Sequence, residues 1–552
     1  MKLRLPERFR TLSISLAGLL VIELLVCWLY RGPRPIPDEP PDEQMPLYSQ
    51  DFSAERAVSV HEELFPPKPH PAGSVENLLV RDRLVELLRQ RHWEVEVQTA
   101  IVESDAKVVL HNVLARLSPM DFWKDRRPLV LATHYDSCRT GPGAGDAGGC
   151  VAAVIEAARA LLSTDTSFGP GFQRPIYLLF TDGEELGLLG AQQFVKRHPL
   201  SARKPIVLNF DARGTSGPVV MYETHAGNRA AIEAWSNELA RPRITGSLFT
   251  AVYRTMPVGS DFTVFQQAGW QGFNFAIIDG AHRYHQPDDT LANLDRRSLQ
   301  HFGEHALNVA RRIATTDAEL PQTPDDAAFF DVLGLFVVHY PLSWCLPLSI
   351  AAFVLVSLAN RKSLLVRDGH RALLRVGIAG VAVAVTSAAT GWFLSRLMRD
   401  VGLLPRSFVW FGHALSAALW LVSAGISLGI ARWLLRRSSA ESVWSMLWLW
   451  WTLAGISVAT IAPSFSHLLI WPACLAAMLS WSRCSVTVRT ICVTVGSAVL
   501  LVPVLHLLSI ALGPASGELL CPTFALVLMP IYPALAMSAV ERSPVSTLSP
   551  TR

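Results

Sequence analysis

Seven acidic and histidine side chains between residues 134 and 285 have the types and spacing that hydrolytic metal chemistry needs. Histidine nitrogen and carboxylate oxygen bind zinc, and one further carboxylate has to stay free to move protons. Each motif is weak alone, but their number and order in one region predict a two-zinc hydrolytic site. The candidates are His134 and Asp136 in ATHYDS, Asp146 in GPGAGDAGG, Glu184 and Glu185 in LLFTDGEELG, Asp211 in VLNFDARG, and His285 in HRYHQPDDT.

Strand-like and helix-like patterns alternate around these motifs. Strands are predicted at KVVLHNVLARL, RPLVLATH, PIYLLFT, PIVLNFD, GPVVMYET and GFNFAII, and helices at CVAAVIEAARALL, ELGLLGAQQFVKRH, NRAAIEAWSNELA and LDRRSLQHFGEHALNVARRIA. This alternation predicts an α/β domain, a mixed but mostly parallel sheet with helices on both faces. Ligands bind beyond the carboxyl ends of the strands in such sheets. His134, Asp211 and the Glu184–Glu185 pair all lie at or just after predicted strand ends.

The two histidine motifs also have a purely structural interpretation. His134 could be a buried histidine that is hydrogen-bonded to a carboxylate, and His285, like the nearby His282, could be a solvated loop residue. In the functional interpretation Asp136 fixes the tautomer of the His134 ring and raises its basicity as a ligand.

The carboxylates have alternatives as well. Glu184 and Glu185 are predicted to open the helix after a strand, where the helix dipole favours acidic residues. In the functional alternative, one binds metal while the other acts as a general base toward water. Asp211 could be a helix cap or turn residue. GAGDAG at 143–148 matches the dinucleotide pattern GxGxxG, but HYDSCRTGP separates it from its strand and Asp146 would repel a pyrophosphate. The glycines better serve a tight loop that brings Asp146 to a cationic site.

The order of these motifs resembles the co-catalytic di-zinc exopeptidases, the family of aminopeptidase Y and the transferrin-receptor-like peptidases. The similarity covers roughly residues 60–315. NFDARGTSGP, SDFTVFQQAG and YHQPDDT resemble the membrane branch of that family, which includes endoplasmic reticulum metallopeptidase and its bacterial relatives. Asp261 in SDF matches a family motif without an assigned role. The resemblance implies two zinc ions as cofactors, with one zinc on His134 and Asp211, the other on Glu185 and His285, Asp146 as the bridge, Glu184 as the general base, and Asp136 orienting His134.

Composition indicates a membrane protein rather than a nucleic-acid-binding one. Of the 552 residues 50% are hydrophobic, the net charge is only +3, and no basic patch with interleaved aromatic residues occurs. Of eight cysteines, only Cys138 and Cys150 lie in the central region. They flank the loop of Asp146, so a disulfide between them is possible in an oxidising compartment.

The hydrophobic pattern divides the chain into segments. A 20-residue apolar run spans about 30 Å as a helix, enough to cross a bilayer. The first such run could instead be a signal peptide, but no small-residue cleavage site follows it. The predicted organisation is a cytoplasmic N-terminus at 1–10, a transmembrane helix at 11–30, a Pro-rich linker at 31–50, a zinc peptidase domain at 51–318, a linker at 319–339, a multispanning membrane domain of about seven helices at 340–540, and a cytoplasmic tail at 541–552.

Lysine and arginine clusters flank alternate ends of the apolar segments. With eight spans they fall mostly on one side, which predicts cytoplasmic termini and an external peptidase domain. No asparagine begins an N-x-Ser/Thr sequon. This favours a bacterial inner membrane with a periplasmic domain over an endoplasmic reticulum or vacuolar membrane.

The predicted function is that of a membrane-anchored di-zinc peptidase, most simply an aminopeptidase, with a peptide substrate and the lipid bilayer as partners. Carboxypeptidase, dipeptidase and non-peptide amide hydrolase activities stay open, as does the oligomeric state. A noncatalytic receptor or scaffold is an alternative, although such proteins typically lack part of the ligand set. A third alternative is a transporter with an accessory domain. Its candidate intramembrane groups are scattered in the sequence, with no evident pathway: Glu23, His413, His467 and His506.

Overall fold

The computed structural model forms two compact units, Leu29–Leu342 and, separately, Met1–Trp28 with Ser343–Arg552. The predicted tail at 541–552 and most of the predicted linker at 31–50 lie outside the described residues. Those residues are 6–36, 50–103, 107–117, 125–163, 171–236, 239, 246–256, 258–317, 319, 324–365, 367–402 and 412–537.

A seven-stranded sheet forms the centre of the first unit, in the order β1-β2-β4-β3-β5-β7-β6. Strands β3, β4, β5 and β7 are parallel neighbours, whereas β1, β2 and β6 join antiparallel at the sides. The mixed, mostly parallel sheet confirms the predicted α/β class. The strands are β1 (Glu94–Glu103), β2 (Lys107–Arg116), β3 (Leu129–His134), β4 (Ile176–Thr181), β5 (Ile206–Ala212), β6 (Ser216–Thr224) and β7 (Gln271–Asp279).

Helices cover both faces of this sheet. Strand β3 is buried along its whole length, with Leu129 and Leu131 in one apolar cluster and Val130 and Ala132 in another on the opposite face. Such two-sided burial is why the parallel strands read as continuous apolar runs. The helices of this unit are α2 (Ala54–Leu64), α3 (Val75–Gln90), α4 (Cys150–Leu162), α5 (Leu189–Arg197), α6 (Arg229–Trp235), α7 (Ser247–Tyr253), α8 (Asp261–Gln267) and α9 (Arg296–Thr315).

A two-stranded hairpin occupies part of the segment predicted as a linker at 319–339. It consists of β8 (Ala327–Val332) and β9 (Phe336–Pro341), paired antiparallel. Phe329 is fully buried and belongs to the core of the first unit. The apolar side chains of the hairpin therefore extend the first unit up to residue 342, beyond the predicted boundary at 318.

The second unit is built from helices. Seven of the described helical segments are long and apolar enough to cross a membrane, and the helix His467–Trp481 is apolar but shorter. The last of these seven segments is divided between two helices. The helices are α1 (Glu7–Leu29), α10 (Cys345–Ala359), α11 (Arg361–Leu364), α12 (Arg367–Asp400), α13 (Gly412–Leu435), α14 (Ala440–Ile461), α15 (His467–Trp481), α16 (Val486–Leu512), α17 (Gly517–Leu528) and α18 (Tyr532–Ala536).

Candidate active site

The predicted site residues converge at the carboxyl edge of the parallel strands. His134 is the last residue of β3, and Asp211 is the penultimate residue of β5. The Glu184–Glu185 pair follows β4, and His285 follows β7. Because these four strands are parallel neighbours, their carboxyl ends lie at one edge of the sheet, and the side chains that follow them lie close together there. The structure thus brings together all seven residues singled out by the sequence.

Asp146 lies between the two histidines. Its Oδ1 is 3.2 Å from Nε2 of His134, and its Oδ2 is 3.2 Å from Nε2 of His285. Each carboxylate oxygen therefore faces a different ring nitrogen. A carboxylate in this position can give one oxygen to each of two metal ions.

Two donor sets extend from this carboxylate. His134 Nε2 is 3.7 Å from Oδ1 of Asp211, and the donor atoms of His134, Asp146 and Asp211 form one tight group. On the other side, His285 Nε2 is 3.0 Å from Oε1 of Glu185. The grouping matches the pairing of ligands that the family resemblance implies.

The glutamate pair does not open a helix, contrary to the prediction. Glu184 and Glu185 lie in a turn, and α5 begins only at Leu189. Gly183, with φ of 74°, redirects the chain after β4, and a side chain there would also collide with Leu110. The helix dipole is therefore not the reason for two adjacent acidic residues.

Asp136 holds this turn in place. Its carboxylate accepts hydrogen bonds from the backbone N–H of Glu184 at 3.1 Å and of Glu185 at 3.3 Å. The Nδ1 of His134 is 3.0 Å from the backbone oxygen of Asp136 and 3.5 Å from its Oδ1. Asp136 thus contacts His134, as predicted, but its carboxylate also fixes the backbone that carries both glutamates.

Asp289 positions Asp146 and is a residue that the sequence analysis did not single out. Its Oδ1 accepts a hydrogen bond from the Gly145 N–H at 2.7 Å, and its Oδ2 one from the Asp146 N–H at 3.3 Å. A Cβ at Gly145 would lie 2.8 Å from the backbone oxygen of Gly214, so the loop can approach the turn between β5 and β6 this closely only with glycine there. The sequence feature that could have revealed Asp289 is its position in the motif YHQPDDT, four residues after His285.

Asp261 begins α8 and is buried beside the site. It accepts a hydrogen bond from the hydroxyl of Thr181, the last residue of β4. Burial raises the pKa of Asp261 to about 7; the Thr181 hydrogen bond and His134 oppose that shift. The family motif at SDF therefore lies at the site, as part of the carboxylate cluster around His134.

The crowding of carboxylates shifts the titration of the site. Burial raises the pKa of Glu184 well above its usual range, an effect that His134 opposes and Asp211 reinforces. Burial likewise raises the pKa of Glu185 to about 7 against the hydrogen bond from His285. Burial lowers the pKa of His285, but the neighbouring Asp146 and Glu185 outweigh this effect and raise that pKa to about 10. Raised pKa values of this kind in neighbouring carboxyl groups and a histidine are typical of a site with excess negative charge.

The donor atoms of this set fit zinc. Glu185 Oε1 and His285 Nε2 are shielded from solvent and lie 3.0 Å apart, and Asp146 Oδ2 is 3.2 Å from the same nitrogen. Two buried carboxylates around one imidazole are stabilised by a cation. Histidine nitrogen with carboxylate oxygen is also a typical donor set for zinc.

The remaining candidates near the site have other positions. Cys138 and Cys150 are both free thiols, so the possible disulfide is absent. Cys150 is buried at the start of α4, whereas Cys138 lies beside Glu185 and His285. His282 belongs to none of the clusters of potential metal ligands in the described part of the chain.

Fold and donor set together define a candidate metallohydrolase site, and sequence comparison specifies the class. Residues 112–310 match the model of Peptidase family M28. This match confirms the resemblance inferred from the motifs.

Among similar proteins, human "Endoplasmic reticulum metallopeptidase 1" is 29% identical over 237 residues, which are 42% of this chain and 25% of that protein. "Vacuolar membrane protease" from Candida albicans (strain WO-1) is 28% identical over 274 residues, 49% of this chain and 31% of that protein. The chain therefore spans about a quarter to a third of the length of these relatives.

Solved structures of similar fold include an aminopeptidase from Aneurinibacillus sp. strain AM-1, with a TM-score of 0.39, 14% identity and coverage of 50% of this chain and 97% of that chain. Porphyromonas gingivalis glutaminyl cyclase also has a TM-score of 0.39, with 21% identity and coverage of 48% and 98%.

Proposed function

We propose that this chain is a membrane-anchored di-zinc peptidase that acts as an aminopeptidase, with its catalytic domain on the extracytoplasmic side. The observation that carries the proposal is the position of Asp146, whose two oxygens face His134 and His285 at 3.2 Å each. A carboxylate shared between two donor sets fits two metal ions better than one. The apolar helices and the match to Peptidase family M28 support the membrane and peptidase parts.

His134, Asp146 and Asp211 would hold one zinc, and Asp146, Glu185 and His285 the other. Zinc bound there would polarise a substrate carbonyl and make the attacking water more acidic. Glu184 would accept the proton of that water and deliver it to the leaving amine. Asp136 would keep Glu184 in reach by holding its backbone N–H.

The alternatives make different demands on the site. A noncatalytic scaffold does not require a complete set of metal ligands or an additional carboxylate with a raised pKa. This site has both the ligand set and such a carboxylate, Glu184. The bacterial inner membrane, with the domain in the periplasm, is the location we propose; the lack of N-x-Ser/Thr sequons supports it.

Hydrolysis of a small substrate panel by the purified full-length chain in detergent tests the activity. The panel contains aminoacyl anilides with a free α-amino group, the same compounds N-acetylated, and peptides blocked at the amino end but free at the carboxyl end. An aminopeptidase hydrolyses only the first set, and a chelator abolishes that hydrolysis. Cleavage of the blocked peptides would instead indicate a carboxypeptidase, and no cleavage by the zinc-loaded protein would favour the scaffold.

A further inference from the structure

Two membrane helices, α1 and α16, pack side by side in parallel within the second unit. Gly18 of α1 lies against Val495 of α16, because a Cβ on Gly18 would be only 2.6 Å from Cγ2 of Val495. Further along both helices, Oε1 of Glu23 is 2.8 Å from Nδ1 of His506. Two residues that looked scattered in the sequence are therefore in contact, within the last two turns of each helix.

A third donor joins this pair. Cys27 lies four residues after Glu23 and so shares its helix face. Its sulfur is 3.5 Å from Oε1 of Glu23 and 4.0 Å from Nδ1 of His506. The three donor atoms thus form a compact triangle of oxygen, sulfur and nitrogen.

The triangle has nearly the size of a zinc coordination face. Zinc bonds of about 2.0–2.3 Å in a tetrahedral arrangement place ligand atoms roughly 3.3–3.6 Å apart. The distances here are 2.8, 3.5 and 4.0 Å, so shifts of a few tenths of an ångström would suffice.

The charges of the three side chains also favour a zinc ion. An ionised carboxylate is costly in a bilayer unless its charge is compensated. A Zn²⁺ ion with one carboxylate, one thiolate and one neutral imidazole has no net charge. The thiol proton, and any proton shared by the Glu23–His506 pair, would be released to solvent on binding. The neutral complex suits a medium of low dielectric constant better than a separate carboxylate and cation.

We propose that Glu23, Cys27 and His506 form a zinc site in the membrane unit, separate from the di-zinc centre, that fastens α1 to α16. Three protein ligands leave the fourth position of the ion to water. Because the ligands come from helices at opposite ends of the chain, zinc binding stabilises the packing of the unit.

Metal analysis of the full-length chain in detergent tests the proposal. Both Cys27→Ser and His506→Gln should bind one zinc ion fewer per chain than the unsubstituted protein. Cys492→Ser, on the same helix α16, is the matched control and should leave zinc unchanged. Replacement of zinc by Co²⁺ should give a thiolate-to-cobalt absorption band in the near ultraviolet. That band should persist in Cys138→Ser, which removes the thiol beside the catalytic cluster, and disappear in Cys27→Ser.

A second measurement uses the unsubstituted protein, so it does not depend on the folding of a variant. Cysteine alkylation is followed by peptide mass mapping with and without zinc. Zinc should slow the alkylation of Cys27 at least tenfold and leave Cys492 unchanged. Equal zinc content in all variants, together with unchanged alkylation of Cys27, would overturn the proposal. The three residues would then be only a Glu23–His506 hydrogen bond with a thiol beside it.

Discussion

At the scale of single residues, adjacent carboxylates in one turn have different surroundings. Glu185 faces His285 at 3.0 Å, and its pKa is raised to about 7, mainly by burial. Burial raises the pKa of Glu184 well above its usual range, and the charges with the largest effect on it are those of His134 and Asp211. A ligand and a proton carrier need such different neighbours, which is why we assign the base to Glu184 and the ligand to Glu185.

Substitution of each glutamate by glutamine separates these roles. Glu184→Gln should keep all bound zinc and lose catalysis by at least the roughly 10²–10⁴-fold typical of a general acid–base group. Glu185→Gln should lose one zinc, because a neutral amide is a poorer ligand than a carboxylate. Zinc content and turnover are measured on both variants. Loss of zinc in Glu184→Gln with retention in Glu185→Gln would reverse the assignment, and full activity of both would place the site elsewhere.

At the scale of elements, the site depends on loops that follow the parallel strands. The loop of Asp146 is buried and is held by Asp289 through the N–H groups of Gly145 and Asp146. Asp289 comes from the segment after β7 that also carries His285. The loop of Asp146 and the segment after β7 therefore jointly determine the distance between the Asp146 carboxylate and His285.

Substitution of Asp289 tests this coupling of the two loops. Asp289→Asn leaves one acceptor for two N–H donors, so the Asp146 loop should loosen and zinc affinity should fall about 10–100-fold, as for other residues that orient metal ligands. The matched control is Asp288→Asn, because Asp288 is half-exposed and pairs with Arg283 instead. Zinc affinity is measured by competition with a chelator. Equal affinities of the two variants would show that Asp289 does not position the bridge.

The sequence predicted the elements better than their ends. Strands such as β3 and β5 were recognisable because both of their faces are buried, which leaves continuous apolar runs. The turn at Glu184 was missed because GEELG has the composition of a helix start. The contact with Asp136 and the positive φ angles of Gly187 and Leu188 separate this turn from α5. Asp289 was missed, although it shares the YHQPDDT motif with His285, because the backbone N–H groups that it binds are distant in sequence.

At the scale of the whole molecule, helix directions bear on the membrane topology. Because α1 and α16 pack in parallel, both cross the membrane in the same direction. The chain must therefore cross the membrane an even number of times from the start of α1 to the start of α16. That number is even only if α15 crosses as well, despite its 15 residues. Its antiparallel packing on α14 supports a crossing: Trp451 Nε1 donates to the Leu469 oxygen at 3.0 Å, and Trp444 Nε1 to Ser480 Oγ at 2.8 Å. This arrangement fits the eight spans that we propose, which would put both termini on the same side of the membrane.

Reporter fusions test the eight-span topology. Fusions after residue 50 and at Arg552 should report opposite sides of the membrane, with residue 50 outside. Fusions in the loops at 462–466 and 482–485 should also report opposite sides, because α15 lies between them. The same side for both loops would mean that α15 does not cross, and the same side for residue 50 and Arg552 would refute the orientation.

The central claim is a di-zinc centre bridged by Asp146, and zinc stoichiometry tests it most directly. The measurement uses the full-length chain with Cys27→Ser and His506→Gln, which removes the separate site proposed in the membrane unit. Elemental analysis at zinc saturation should then give two zinc ions per chain, since two donor sets share one carboxylate. Peptidase activity should reach its maximum only with the second ion. A single zinc per chain with activity already complete would contradict the account.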